Sequence, residues 1–165
     1  MRAGGVQIPL TGGLVALIDA SDVDLVADVS WYAHKSSSRY YAARNVVIAG
    51  VSKKVRMHRL IMAAPPELQV DHINGNTLDN RRANLRLCTP AQNKWNRSAP
   101  SGSVSGYLGV FRRPSGLWRA KVEANGRKID VGPFSTPEQA AKARDAIAVR
   151  LHGPFATLNF PEAGR

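Results

Sequence analysis

Val70 to Asn96 reads VDHINGNTLDNRRANLRLCTPAQNKWN, and this stretch decides how the rest of the chain is read. Asp71 and His72 are adjacent, Asn84 follows His72 by twelve positions, and Asn93 follows Asn84 by nine. Val70 and Ile73 flank the Asp-His pair with apolar side chains, the mark of a short half-buried strand. NGNTLDNRRANLRL is too rich in turn residues for a helix and predicts a loop with a tight return. Leu85 and Leu87 alternate with Arg86 as a second short strand. Thr89-Pro90 is a helix start: a hydroxyl cap, then proline at the first helical position, where no N–H is needed. The helix is predicted to reach about Arg97, giving a unit of strand, loop, strand, helix.

The chemistry follows from the residue types. Asp71 offers a carboxylate oxygen and Asn93 an amide oxygen. One or two such hard donors, completed by water and substrate phosphate, suit magnesium. An imidazole titrating near neutrality is the usual general base for activating water. Strand alternation sends His72 to the face opposite Asp71, unless the loop swings it round. Asn84, folded back over the strand, holds the base either through its side-chain amide or by pinning the loop. A metal beside a general base and a scissile phosphate makes a phosphodiesterase site.

Residues 55–97 resemble the HNH nuclease family, ββα-metal type, in the variant whose third letter is asparagine. The resemblance implies His72 as general base, Asp71 and Asn93 as ligands of one divalent ion (Mg2+ or Mn2+), and Asn84 as the residue orienting the histidine loop. HRLIM at 58–62 resembles the segment that precedes the motif in phage and intron-encoded members. His58, Arg59, Arg81, Arg82 and Lys94 are then candidate DNA contacts, His58 as an accessory phosphate ligand.

Length and charge agree. The 165 residues suffice for one ordinary domain or two small ones. Lys and Arg number 23 against 12 acids, a net charge of +11 that fits a polyanionic partner. The single cysteine, Cys88, permits no disulfide within the chain and no Cys-rich zinc cluster, and reads as a small buried residue. No apolar run approaches the length of a membrane span, and 1–13 lacks a signal-peptide core, so an intracellular protein is expected, in a bacterial host if phage- or intron-encoded.

Upstream, VQIPLTGGLVALID at 6–19 carries a hairpin signal at Gly12-Gly13. Ser21 is placed to cap a short helix over DVDLVADV. Residues 31–34 and 39–47 read as a strand pair joined by KSSS, and 51–57 as a further strand leading into HRLIM. Residues 6–57 thus form a small sheet with one helix. Tyr32, His34, Arg39, Tyr40, Arg44, Lys53, Lys54 and Arg56 place basic and aromatic groups along it, either as backbone contacts to nucleic acid or as a solvated face.

SAPSGSVS at 98–105 reads as a linker. Beyond it, YLGVFRR, LWRAKVE and RKIDVGPF are three short strands separated by turn signals at Pro114-Ser115-Gly116 and Asn125-Gly126. Thr136-Pro137 caps a helix whose alanines at 140, 141, 143, 146 and 148, with Ile147 and Leu151, form the packing stripe. His152 near its end reads as a terminal cation or surface residue. YLGV, GPFSTPEQAAKARD and LNF together resemble the APETALA-two / ethylene-response-factor DNA-binding domain over 106–161. That family lays its sheet in the major groove, which implies Arg113, Arg119, Lys121 and Lys128, with Arg112 nearby, as DNA contacts. Leu108 and Phe111 stand where plant members carry base-reading arginines, and Ser115 and Asp130 replace tryptophans, so the plant target sequence does not transfer.

The expected fold is α+β: an N-terminal sheet (6–57) and a ββα-metal motif (58–97) forming a nuclease domain, then a three-stranded antiparallel sheet on one helix. The expected function is a metal-dependent, homing-type endonuclease acting on double-stranded DNA, expected as a monomer, whose single active site favours nicking, whereas a dimer could cut both strands. The competing reading is a sequence-specific DNA-binding protein with a vestigial nuclease site. An RNA-binding protein is disfavoured, because the exposed aromatic platforms that hold single strands are missing.

Overall fold

A computed structural model describes residues 5–96, 102–124 and 126–161. The chain forms two compact units, one ending at Asn93 and one beginning at Lys94. Both combine sheet and helix, the α+β class expected.

In the first unit, β1 (Val6–Thr11) and β2 (Val15–Ile18) pair antiparallel, with Gly12 and Gly13 at positive φ between them. β1 then runs parallel to β3 (Trp31–Ser36), at Leu10 opposite Trp31. β4 (Arg39–Ile48) and β5 (Val51–Arg56) complete a five-stranded sheet of order β2-β1-β3-β4-β5. Leu10, Ile18, Val26, Trp31, Ala42, Met57, Ile61, Val70 and Leu85 form one core, and the Trp31 indole N–H donates to the Val26 carbonyl at 3.0 Å.

Two expectations change here. Ser21 does not cap the first helix. The segment enters through a 3-10 turn at Ala20–Asp22 with no side-chain cap, followed by a single turn, α1 (Val23–Val26). Asp22 is buried and binds Arg82 instead. β5 ends at Arg56, and HRLIM continues as α2 (Met57–Ile61). Met57 and His58 are adjacent and both buried, which a strand with one buried face does not allow.

β6 (Gln69–His72) and β7 (Leu85–Cys88) form a separate antiparallel pair, and α3 (Pro90–Asn93) follows. The Thr89 cap is present, with its hydroxyl accepting from the Gln92 N–H at 3.2 Å and the Gln92 side chain accepting from the Thr89 N–H at 2.8 Å. α3 is a single turn and stops well short of Arg97, which lies outside the described residues. Beyond α3 Trp95, already in the second unit, stacks on His152 at 4.2 Å between ring centres.

The second unit is a three-stranded sheet, β10-β9-β8, of β8 (Val110–Arg112), β9 (Trp118–Ala124) and β10 (Arg127–Phe134), with α4 (Pro137–His152) against it. Thr136 and Gln139 close a reciprocal capping box at the start of α4. Val110, Ala120, Ala140 and Ala141 make the core. Small residues let the helix approach the sheet closely. The buried stripe differs from the expected one: Leu151 and Ala146 are exposed, while Arg144, Asp145 and His152 are buried. Asp145 accepts from the backbone N–H groups of Asn159 and Phe160, and Arg144 donates to the Thr157 carbonyl, so the helix face ties down the chain that follows it. His152 is buried rather than a surface cation: Nε2 lies 3.0 Å from the Glu123 carbonyl, and burial lowers its pKa. Residues 98–101 of the expected linker, and Asn125 of the expected Asn-Gly turn, lie outside the described residues. Among the described residues no helix is long and apolar enough to cross a membrane.

Candidate active site

The loop between β6 and β7 is built from its own side chains. Asn84 is its clasp: Oδ1 accepts from the Asn74 N–H at 2.9 Å and Nδ2 donates to the Asp79 carbonyl at 2.8 Å. Asn74 and Asn76 accept from backbone N–H groups two residues ahead, the local turn chemistry their type favours. The loop is also fastened to the sheet. Leu17 on β2 exchanges backbone hydrogen bonds with Leu78 and Asn80, and the Thr77 hydroxyl donates to the Tyr40 carbonyl on β4.

These attachments bring His72 under β4. His72 is 4% exposed. Its Nε2 lies 3.2 Å from Asn80 Oδ1, and the Asn80 amide nitrogen donates to the Leu78 carbonyl and Met57 Sδ. That orientation presents an acceptor to His72, so the ring carries its proton on Nε2 and its basic lone pair on Nδ1. Burial lowers the pKa of His72, opposed by Asn80, Asp71 and Asp79, with Arg39 lowering it further. The imidazole is therefore neutral at neutral pH, as a base must be. Of the two roles open to Asn84 in the sequence, it takes the loop, and Asn80 takes the ring.

Around His72 stand two further rings. His58 is edge-on at 5.0 Å between centres, and Tyr41 lies 6.2 Å from His72 and 5.7 Å from His58. The Arg56 guanidinium covers the Tyr41 ring at 4.8 Å. His58 is 3% exposed, and burial, followed by His72 and then Arg56 and Arg59, lowers its pKa to about 3. His58 is thus a neutral, enclosed ring, and the accessory phosphate contact proposed for it would be a hydrogen bond from a neutral imidazole.

Asp71 lies on the other face of β6, and Asn93 reaches that face through Gln69. Asp71 shares that face with Gln69, two residues earlier, and the Asn93 amide nitrogen donates to Gln69 Oε1 at 2.6 Å. This leaves the Asn93 carbonyl oxygen as its available donor to a cation. Directly across the β-pair, Arg86 holds Asp71 Oδ2 at 2.6 Å through Nη2 and 2.8 Å through Nε. Among the described residues no group of three or more His, Cys, Asp or Glu could hold a metal. The donor chemistry of Asp71 and Asn93 fits one hard divalent ion that takes its remaining ligands from water and substrate, with Arg86 as the competing cation.

The other candidate contacts separate into engaged and available groups. Arg59 donates to the carbonyls of Ala64, Pro65 and Leu68, Arg81 pairs with Asp79, and Arg82 pairs with Asp22. These guanidinium groups hold the fold together. Lys94 is exposed, just past α3. In the second unit Arg119, Lys121 and Glu123 share the face of β9 turned away from α4, beside Lys128 and Asp130 of β10. Arg119 pairs with Asp130, Arg112 donates to the Gly116 carbonyl, and Arg113 lies over Phe111. Lys121 and Lys128 are exposed.

Sequence reasoning missed Asn80, Arg86 and Gln69 as site residues, and left Tyr41 out of the candidate basic and aromatic set. Arg86 had a signal, since it alternates between two leucines in the strand pairing with Asp71. Asn80 had none, because six Asn and Asp residues crowd positions 71–84 and only the folded loop separates their roles. Cys88 is the buried residue expected, its thiol pKa raised by burial.

Residues 56–94 match the profile of a family described as HNH endonuclease. HNH endonuclease L560 of Acanthamoeba polyphaga mimivirus is 31% identical over 153 residues, covering 89% of this chain and 75% of the viral protein. Protein 3.8 of Escherichia phage T7 is 31% identical over 102 residues, covering 56% of this chain and 76% of its own length. Ethylene-responsive transcription factor ERF010 of Arabidopsis thaliana is 47% identical over 58 residues, which cover 34% of this chain and 32% of the plant protein. No solved structure matches the chain.

Proposed function

The chain belongs to the HNH endonuclease family, and from that membership we propose that it is a homing-type, divalent-metal-dependent nuclease that hydrolyses phosphodiester bonds of duplex DNA with His72 as general base. The hydrogen bond between His72 and Asn80 carries this reading. It keeps the Nε2 proton in place and turns the basic Nδ1 to the task of accepting a proton from water. As that proton transfers to Nδ1, the water oxygen bonds to phosphorus and the bond from phosphorus to the leaving sugar oxygen breaks. Asn84 acts at one remove, by fixing the loop that positions Asn80 and His72.

Asp71 and Asn93 are the residues that would hold Mg2+ or Mn2+, as strand, loop, strand and helix do in a ββα-metal motif. Such an ion supplies charge stabilisation to the phosphate and its leaving oxygen when bound. Arg86 keeps Asp71 neutralised until then.

The second unit is proposed to choose the site. Its support is the likeness to the plant transcription factor and the charged sheet face opposite α4. Arg112, Arg113, Arg119, Lys121 and Lys128 are its DNA contacts in this reading. Asp130 ties Arg119 down, so Lys121 and Lys128 are the readier phosphate ligands.

Nicking of supercoiled plasmid in magnesium tests the proposal. His72→Ala should lower the rate by about two to four powers of ten while leaving DNA binding intact. Asp71→Ala and Asn93→Ala should raise the magnesium concentration needed. Wild-type turnover by His72→Ala, or full activity in chelator, contradicts it.

A further inference from the structure

From Val29 to Pro66 the chain carries seven Lys and Arg and no Asp or Glu. Most of that segment is β3, β4 and β5, and the last two form a hairpin. Its tip is apolar on both sides. Val47 is 74% exposed, Ile48 52% and Val51 58%. Ile48 pairs with Val51 as the last rung before the two-residue turn Ala49-Gly50, and Val47 pairs with Ser52, so Val47 and the Ile48–Val51 pair face opposite ways.

Below the tip the hairpin is cationic. Lys54 pairs with Asn45, Lys53 with Val46, and Arg56 with Ala43. Among the described residues none of Arg39, Arg44, Lys53, Lys54 or Arg56 forms an ion pair, whereas Arg81, Arg82, Arg86, Arg119 and Arg144 all do. Lys54 lies 3.2 Å from the His34 ring and Arg56 stacks on Tyr41. The same face of β4 carries Arg39, Tyr41, Asn45 and Val47. It therefore begins at the ring that packs beside His72 and ends at the apolar tip.

We infer that the β4–β5 hairpin is a DNA-engaging arm, whose lysines and arginines grip phosphates while Val47, Ile48 and Val51 enter a groove and part a base step. The inference rests on the reading of the chain as a nuclease for duplex DNA. An exposed aliphatic patch is costly to leave in water, and one framed only by cations fits a polyanion with an apolar interior. Apolar wedges of this kind unstack bases and kink the duplex from the minor groove. Tyr41 and Ile48 are seven residues apart, about 23 Å along a strand. That span corresponds to about seven base-pair steps, so the distortion would fall within one helical turn of the bond presented to His72.

The test uses the full chain carrying His72→Ala, in chelator, so that binding is read without cleavage and its outcome does not depend on the identity of the base. Affinity for a labelled random-sequence duplex is measured across salt. Plasmid relaxed by topoisomerase with protein bound then reports unstacking as a change in linking number. The Val47→Ser, Ile48→Ser, Val51→Ser triple variant should bind about tenfold more weakly, with the salt slope retained and the change in linking number lost. Lys53→Ala with Lys54→Ala should flatten the salt slope by nearly two units. Thermal melting of both variants verifies that they fold, as expected for exposed positions. Wild-type affinity and linking number in the serine variant overturn the inference. So does a wild-type dimer that the serine variant converts to monomer, which would make the patch a self-association surface.

Discussion

Asn80 is fully buried, and its side chain bonds to the His72 ring, the Leu78 carbonyl and the Met57 sulfur. Its position makes sense as the part that fixes one tautomer of His72. Asn80→Ala should lower the single-turnover cleavage rate by about a hundredfold, the scale of a small misplacement of a reacting group. Asn80→Asp keeps the acceptor and should restore part of the rate, with the acid limb of the pH profile moved upward, because a carboxylate favours the imidazolium. A merely structural asparagine would move melting temperature and leave that profile unshifted. His58 gives a second test. Its pKa drops from 6.5 to about 3 on folding, so the unfolded chain binds the extra proton. The stability it contributes is complete above pH 6.5 and is lost as the pH falls, by about 1.4 kcal/mol for each unit between those values. Denaturant titrations of wild type and His58→Gln below pH 6 should differ in slope, the variant being the flatter.

At the scale of elements, the 73–84 loop is a single clasped unit. Asn84→Ala removes both Asn84 bonds and leaves the Asn74 N–H and the Asp79 carbonyl without that partner, a loss of about 1–3 kcal/mol for each buried polar group. Melting temperature and cleavage rate should fall together, which separates Asn84 from the active-site substitutions of His72. The β4–β5 turn carries the opposite opportunity. Ala49 sits at φ 49 and Gly50 at φ 76, the conformation that favours Asn-Gly. A left-handed alanine costs roughly 1–2 kcal/mol. Ala49→Asn should therefore raise stability by about 0.5–1 kcal/mol, read as a higher denaturation midpoint with an unchanged slope.

At the scale of the molecule, the two units hold separate cores, one around Trp31, Met57 and Ile61 and one around Ala120, Ala140 and Ala141. They are also unequal in charge: residues 94–165 hold twelve basic residues and five acids and residues 1–93 eleven and seven, although within the first unit the arm-bearing segment 29–66 holds seven and none. A chain ending at Asn93 should nick plasmid in magnesium and lose its preference for a cognate site. If the truncated chain folds by circular dichroism but keeps full site preference, targeting does not reside in the second unit.

The sequence by itself determined the pieces that depend on neighbours along the chain. The Asp71-His72, Asn84 and Asn93 spacing, the Thr89 and Thr136 caps, the Gly12-Gly13 hairpin and the three alternating strands after Tyr107 are local signals of dihedral preference, capping and period. Tertiary structure decided which of several like residues does what. It chose Asn80 over its neighbours for His72, set Arg86 against Asp71, enclosed His58 and drew Trp95 onto His152. It also sorted the cations, giving Arg59, Arg81 and Arg82 to carbonyls and carboxylates and leaving those of β4 and β5 without an ion pair among the described residues. A side chain's charge and donors are written in its type, but its partner is fixed by distance in the fold, and that distance comes from contacts many residues away.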